Sequence, residues 1–316
     1  MMAAKMGHKT VIFDNFSNST LATVNSIGQL TGVQPELVEG DILDTDLLQK
    51  TMSDTSVSDV IHLAGLKSVE ESVNNPELYE MVNVDGSKSL LSAMEACQVY
   101  RLIFSSSATV YGEPQYLPLD EEHRISSVNP YAASKISVEE MLKAKCTESP
   151  NWKMLSLRYF NPVGSHESGL LGDNARALKA NLMPMIARAV LGKMDFLEVY
   201  GNDYQTPDGT CLRDYIHILD LAEGHLKAMD YLKSLNGFDA INLGTGKGIS
   251  VLEMVSTFEA IAGKKIPIKF TGRRPGDVES CYANCKKAER LLGWKAKRSL
   301  NDMCESTWHW CKKLNE

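Results

Sequence analysis

The chain has no run of about 20 apolar residues, so nothing in it reads as a membrane-spanning helix. It has no block of lysine and arginine. With a formal net charge of −7 and a pI near 5.6, it does not suit nucleic acid or an anionic membrane, and a small molecule is the default ligand. The seven cysteines (97, 146, 211, 281, 285, 304 and 311) form no C-x-x-C pair. An odd number without paired spacing argues against a disulfide framework and points to reduced thiols in the cytoplasm. The spacing of Cys281, Cys285, Cys304 and Cys311 fits neither a zinc finger nor a zinc ribbon, so no metal is expected. Low-complexity segments and internal repeats are missing too, and residues 1–9 are too short and too polar for a signal peptide. What remains is 316 residues, 43% hydrophobic and 23% charged, enough for one large domain or two moderate ones.

The chemistry concentrates between residues 104 and 135. An apolar strand, Arg101-Leu102-Ile103-Phe104, ends in three hydroxyls, Ser105, Ser106 and Ser107. Asn129-Pro130 then opens a helix with Tyr131 in its first turn and Lys135 four residues on. Residues i and i+4 share a helix face, so the Lys135 ammonium is predicted beside the Tyr131 phenol. A cation there favours phenolate and lowers a pKa otherwise near ~10. Ser107 can bond the same phenol or a substrate hydroxyl. Such a set removes the proton of an alcohol as hydride leaves its carbon. A lone Tyr-x-x-x-Lys more often marks a solvated helix face. Here the helix start and the hydroxyl-rich strand end fall at the carboxyl edge of a sheet, where α/β folds bind ligands.

Strands are predicted at 10–14, 36–41, 59–65, 101–104 and 153–159, alternating with helices, the longest over 76–97 and from 131 to about 144. This alternation predicts an α/β fold, a Rossmann-like doubly wound parallel sheet with both faces covered. Asp14 ends the first strand, where an acid in a dinucleotide fold accepts the ribose hydroxyls and selects NAD over NADP. Gly65 permits close approach of a ligand to the backbone. His62, inside an apolar run, reads as a satisfied core histidine. Lys67, just beyond, is a candidate phosphate or ribose contact. The second half is more mixed, with a helix to residue 191, a short strand and turn over 197–203, a turn followed by a strand over 208–217, helices over 219–233 and 251–262, and a terminal helix holding Trp308 and Trp310. Arg213 and Arg274 suit a pyrophosphate, because guanidinium binds phosphate in a bidentate fashion. The predicted division is 1–160 for the cofactor domain and 161–316 for a smaller mixed α/β substrate domain, with some chain crossing back.

An ordered series of segments carries a resemblance. It includes Val11-Ile12-Phe13-Asp14-Asn15, Val60-Ile61-His62-Leu63-Ala64-Gly65-Leu66-Lys67, residues 104–112, Tyr131 with Lys135, Leu157-Arg158-Tyr159-Phe160-Asn161-Pro162 and Asn242-Leu243-Gly244. The series resembles the extended short-chain dehydrogenase/reductase family, and within it the UDP-hexose 4-epimerases. The resemblance implies interconversion of UDP-galactose and UDP-glucose in galactose metabolism, by transient oxidation at C4 with NAD, in a cytoplasmic homodimer. It implies Tyr131, Lys135 and Ser107 as catalytic residues. Asp14, Asn15, Asn18, Ser19, Asp41, Ile42, Leu63, Ala64, Gly65, Lys67, Asn83, Ser105 and Phe160 match cofactor positions, with Tyr131 and Lys135. Lys67, Ser107, Asn161, Asn181, Leu182, Tyr200, Arg213, Arg274, Asp277 and Cys281 match the UDP-sugar positions. Cys281 falls on the pocket wall beside the sugar, and a side chain that small leaves room for a 2-acetamido group. Sister dehydratases carry an Asp-Glu pair directly after the strand-end hydroxyl; here those positions are Ala108 and Thr109. A UDP-glucuronate decarboxylase is harder to separate. The remaining alternative is an impaired homologue that binds UDP-sugars, or dimerises, without turnover.

The chain departs from the pattern in two places. The 13 residues before Asp14 hold one glycine, Gly7, and no glycine-rich fingerprint. The first strand, the glycine turn and the helix N-terminus that would receive the pyrophosphate are therefore expected to be missing, as in a shortened product of an epimerase gene. That predicts a gap or unpaired edge in the sheet and weaker cofactor binding. The second departure is residues 174–180, where the family has a proline-containing run and a further Asn before Asn181.

Overall fold

The computed structural model describes residues 1–173, 181–274 and 276–314; the departure at 174–180 lies outside them. Thirteen strands lie among these residues: β1 (Val11–Asp14), β2 (Glu36–Glu39), β3 (Val60–His62), β4 (Arg101–Ser107), β5 (Lys153–Tyr159), β6 (Asn161–Val163), β7 (Leu197–Tyr200), β8 (Leu212–Arg213), β9 (Tyr215–His217), β10 (Gly237–Leu243), β11 (Ile249–Ser250), β12 (Ile268–Thr271) and β13 (Ser280–Cys281). The main sheet has the order β10-β5-β4-β3, every pair parallel. β1 and β2 form a separate parallel pair. Both β1 and β3 are thus hydrogen-bonded on one side only, which is the expected interruption of the sheet.

β4 and β5 are buried on both faces, which is why they read as apolar runs rather than as alternating ones. Leu102, Phe104 and Met154 face a core shared with the helices Thr45–Thr55, Gly86–Ala96 and Pro130–Glu148. Ile103, Leu155 and Leu157 face the opposite core, under the helix Ile218–Ser234. β4 runs three residues further than predicted. Ser105, Ser106 and Ser107 are its last ladder residues, opposite Leu157, Arg158 and Tyr159. Conversely, the predicted strand over 59–65 is regular only at Val60–His62, and Leu63 to Gly65 leave the sheet as loop. The helix predicted over 76–97 is interrupted. A π-helical segment, Glu80–Asp85, separates Pro76–Tyr79 from Gly86–Ala96. Such segments are uncommon and concentrate at functional sites.

β10, from the second half of the chain, pairs with β5 along its whole length. The other strands of that half pair in small groups around a separate core that includes Ile186, Leu197, Val199, Phe258, Met303 and Cys304. The four cysteines weighed as zinc ligands do not converge. Cys304 and Cys311 belong to that core, whereas Cys281 and Cys285 pack against a different cluster with Val110, Leu119 and Phe160. Among the described residues no helix is long and apolar enough to cross a membrane.

His62 is a satisfied core histidine. Ser87 Oγ donates to the Asn83 carbonyl (2.6 Å), so His62 Nε2–H donates to Ser87 Oγ (2.8 Å). Burial first, and the Lys135 charge second, push its pKa down to about 3. In the unfolded chain it titrates near ~6.5, so folding excludes a proton between these values. The native state is expected to lose stability as pH falls below about 6.5, at up to ~1.4 kcal/mol per pH unit. His62→Gln, which keeps a donor toward Ser87, should flatten that slope in urea titrations at pH 7 and pH 5. An unchanged slope would remove His62 from the account.

Candidate active site

The helix Pro130–Glu148 is started by Asn129, whose side chain accepts the Ala132 N–H (2.8 Å), with Pro130 at the first helical position. This anchors Tyr131 in the first turn. Lys135, one turn on, is 5% exposed. Its Nζ donates to the Ser105 carbonyl (2.8 Å) and lies 4.8 Å from the centre of the Phe104 ring and 5.8 Å from that of Tyr131. The Tyr131 ring meets Tyr79 edge-on, with centroids 6.4 Å apart. Ser107, at the end of β4, faces the phenol. Its oxygen accepts both the N–H (3.3 Å) and the hydroxyl (3.0 Å) of Thr109. With both lone pairs used, the Ser107 proton is left to donate, toward phenol or substrate. Thr109 therefore orients Ser107, a role the sequence reading missed.

The charge balance differs from the expectation. Burial raises the Tyr131 pKa, and the Ser107 hydrogen bond opposes it. Burial also pushes Lys135 down to about 8, against the attraction of Glu139. The predicted lowering of the Tyr131 pKa by Lys135 is thus not seen. Spacing along the helix places the two residues on one face, but the ammonium is turned toward a β4 carbonyl and desolvation outweighs the pairing. Opposed perturbations of this kind, on neighbouring groups, are characteristic of catalytic sites.

A cavity of about 2320 Å³ runs from β1, past the ends of β3 and β4, into the second half of the chain. Asp14, Asn15, Asn18 and Ile42 line it on the β1 side. Leu63, Ala64, Gly65, Lys67, Ser107, Phe160 and Asn161 follow. Asn181, Leu182, Tyr200, Arg213, Arg274, Asp277 and Cys281 line it in the second half. Ser19, Asp41, Asn83, Ser105, Tyr131 and Lys135 are not on this wall. Ser19 Oγ donates to Asp14 Oδ1 (2.8 Å), and Asn15 donates to Asp41 (2.9 Å). Asn83, on the π-helical segment, accepts the Leu66 N–H (2.7 Å) and donates to the Leu66 carbonyl and to Ser134. It thereby holds the loop around Gly65, which has φ +145° and no room for a Cβ, since one would lie 2.9 Å from Asn83 Oδ1. The same Cβ position is 4.0 Å from Lys135 Nζ.

In the second half, Arg274 makes two hydrogen bonds to Asp277 (3.0 and 3.1 Å) and lies over the Tyr200 ring (5.2 Å). Arg213 reaches the same carboxylate (3.5 Å) while Nη1 donates to the Leu212 and Val278 carbonyls. One carboxylate thus holds two guanidiniums, leaving net positive charge on the cavity wall for an anion. Asp214 also escaped the sequence reading. It is fully buried and accepts the N–H groups of Thr245, Gly246 and Ala283, tying the loop after β10 to the segment after β13.

This geometry can be set against known proteins. The family model for GDP-mannose 4,6 dehydratase matches residues 1–307. The UDP-glucose 4-epimerase of Bacillus subtilis is 45% identical over 304 residues, which is 96% of this chain and 90% of that protein. The chain belongs to the UDP-glucose 4-epimerase family. Two solved members of the family agree closely in structure. The Stenotrophomonas maltophila enzyme with bound NAD and formylated UDP-arabinopyranose superposes with a TM-score of 0.97 at 40% identity, covering 99% of this chain and 93% of that one. The Bifidobacterium longum epimerase in complex with NAD+ and UDP gives 0.95 at 42% identity, with coverage of 99% and 93%. The strand end distinguishes this epimerase-family chain from the dehydratases for which the family model is named. Ser107 is followed by Ala108 and Thr109, with no carboxylate to eliminate water.

Proposed function

We propose that this chain interconverts UDP-galactose and UDP-glucose by transient oxidation at C4, with NAD as its cofactor. The observation that carries the reading is the Ser107–Tyr131–Lys135 set behind one continuous cavity whose far wall holds Arg213, Arg274 and Asp277. The residues fit the cofactor at both riboses. Asp14 Oδ1 is occupied by the Phe16 N–H and the Ser19 hydroxyl, which leaves Oδ2 without a partner among the described residues and available to a ribose diol. Lys135 uses one N–H on Ser105, leaving two for a second ribose. When bound, NAD would supply reversible hydride acceptance for the oxidation and reduction at C4. Tyr131 takes the 4-hydroxyl proton and gives it back, Ser107 donates to the same oxygen, and Lys135 binds the ribose through its two remaining N–H groups. Arg213 and Arg274 hold the pyrophosphate while the sugar turns over, and Asp277 keeps both guanidiniums in place.

Acetylated sugars belong to the same reading. Cys281 lies on the cavity wall, opposite Arg213 in the β8–β13 pairing. Its small side chain supports turnover of UDP-N-acetylglucosamine and UDP-N-acetylgalactosamine. Cys281→Tyr should lower the ratio of kcat/KM for UDP-N-acetylgalactosamine to that for UDP-galactose by at least ~10-fold, about the discrimination steric pocket changes supply. An unchanged ratio would refute the assignment.

The division into a cofactor domain (1–160) and a substrate domain (161–316) is part of the proposal, with β10 as the segment that crosses back. A homodimer is proposed as well. It is supported by exposed apolar side chains at Val73, Leu78 and Met81 on consecutive helical segments, and sedimentation velocity would read it directly. Seven free thiols support a cytoplasmic setting. The direct test is conversion of UDP-galactose by the purified chain with NAD added. UDP binding without conversion would favour a sugar-nucleotide-binding protein instead.

A further inference from the structure

The face of the long helix that carries Tyr131 and Lys135 continues to Glu139, at i, i+4 and i+8. Glu139 is 5% exposed and Arg158, opposite it on β5, 4%. Oε1 of Glu139 accepts the Ser106 hydroxyl (2.5 Å) and Arg158 Nε (3.0 Å), and Oε2 accepts Arg158 Nη2 (2.7 Å). Arg158 Nη1 continues to the Tyr111 hydroxyl (3.1 Å), which donates to Asn242 on β10 (2.6 Å). Three adjacent β4 residues thus meet three successive turns of one helix face. Ser107 faces Tyr131, the Ser105 carbonyl takes Lys135, and Ser106 takes Glu139.

We propose that Glu139 is a positioning residue for proton transfer: its carboxylate, clamped by Ser106 and Arg158, keeps Lys135 charged and holds the helix in register with the end of β4. The inference rests on the proton-transfer reading of Tyr131 and Lys135 and extends it. A buried ion pair adds little net stability, and apolar residues of similar volume would often fill the space as well. What an apolar pair cannot provide is a negative charge one turn behind a buried ammonium. Lys135 has no other counter-ion among the described residues. From β3 it faces His62, held neutral; from β4, the Phe104 ring and the Ser105 carbonyl; on its own helix, Tyr131 and Glu139. Arg158, on β5, pairs with the same carboxylate and partly offsets it. Glu139 is the charge that acts on Lys135 against desolvation.

The test is an NMR titration of lysine side chains in the full chain, with the Lys135 resonance assigned by its loss in Lys135→Met. It needs no turnover, so it separates this inference from the function itself. Glu139→Gln leaves Arg158 unpaired and can compromise folding, so the decisive variant is the double Glu139→Gln/Arg158→Met, which removes both charges. In that variant the Lys135 midpoint should fall by about one pH unit, and in Glu139→Asp, which keeps the charge, it should stay within ~0.3 of the parent. In the active enzyme the alkaline limb of kcat should move by the same amount as the NMR midpoint, with KM for UDP-galactose within about twofold. A Lys135 midpoint unmoved in the folded double variant would overturn the proposal, as would an equal shift in Glu139→Asp. A purely structural role for Glu139 predicts lower stability with no movement of either midpoint.

Discussion

Tyr131→Phe is expected to lower kcat for UDP-galactose about 1,000-fold while KM changes by less than about threefold, within the range general acid–base groups contribute. The substitution removes one oxygen from a ring otherwise held by Tyr79 at 6.4 Å and by its place in the first turn of a capped helix, so the fold and the cavity remain. It leaves Ser107, whose oxygen is already occupied by Thr109, able to orient the 4-hydroxyl but not to accept its proton. The measurement is steady-state kinetics with a UDP-glucose readout across pH 6 to 9. Loss in KM alone would move Tyr131 from chemistry to binding, and a loss below about tenfold would remove it from the mechanism.

Arg158→Met is expected to destabilise the chain by about 3–5 kcal/mol, the usual result of leaving one member of a buried ion pair unpaired. Both side chains are almost fully enclosed, at 4% and 6% exposure. Removing the guanidinium strands the Glu139 carboxylate with only Ser106 as donor and leaves the Tyr111 hydroxyl without a partner on its acceptor side. The double variant with Glu139→Gln should recover most of the loss, because no uncompensated charge then remains. Urea unfolding of the two single variants and the double measures this, and the coupling energy between the positions should be at least ~2 kcal/mol. Equal and additive losses would mean that the pair does not act as a unit.

The architecture was largely legible from residue patterns. β4 and β5 show as near-continuous apolar runs because both of their faces are buried, and Tyr131 with Lys135 shows as a shared helix face because four residues make about one turn. Asp14 shows locally, as an acid at a strand end, whereas Gly65 reads in the sequence as room for a ligand and the structure puts the Asn83 side chain where its Cβ would lie. Contacts between segments were not. Arg213 and Arg274 read as separate cations, yet the fold brings both to one carboxylate, Asp277, across a 64-residue separation for Arg213. The sign of the Tyr131 shift depends on how deeply the ring is buried, which spacing does not encode. The π-helical turn that presents Asn83 to the Gly65 loop has no distinctive composition; it shows only in the hydrogen bonds to Leu66 and Ser134. Glu139 was not singled out in the sequence, because its meaning required Arg158 on β5 and Ser106 on β4.

The central claim is that the C4 hydrogen leaves UDP-galactose as hydride within this site and returns to the same sugar. UDP-galactose carrying deuterium at C4, incubated with the purified chain and NAD in ordinary water, tests it by proton NMR of the UDP-glucose formed. The account predicts UDP-glucose with deuterium retained at C4, and no such product with Tyr131→Phe over the same time. UDP-glucose whose C4 deuterium has been replaced by solvent hydrogen would contradict it, as would no conversion by a chain shown to bind UDP-galactose and NAD together.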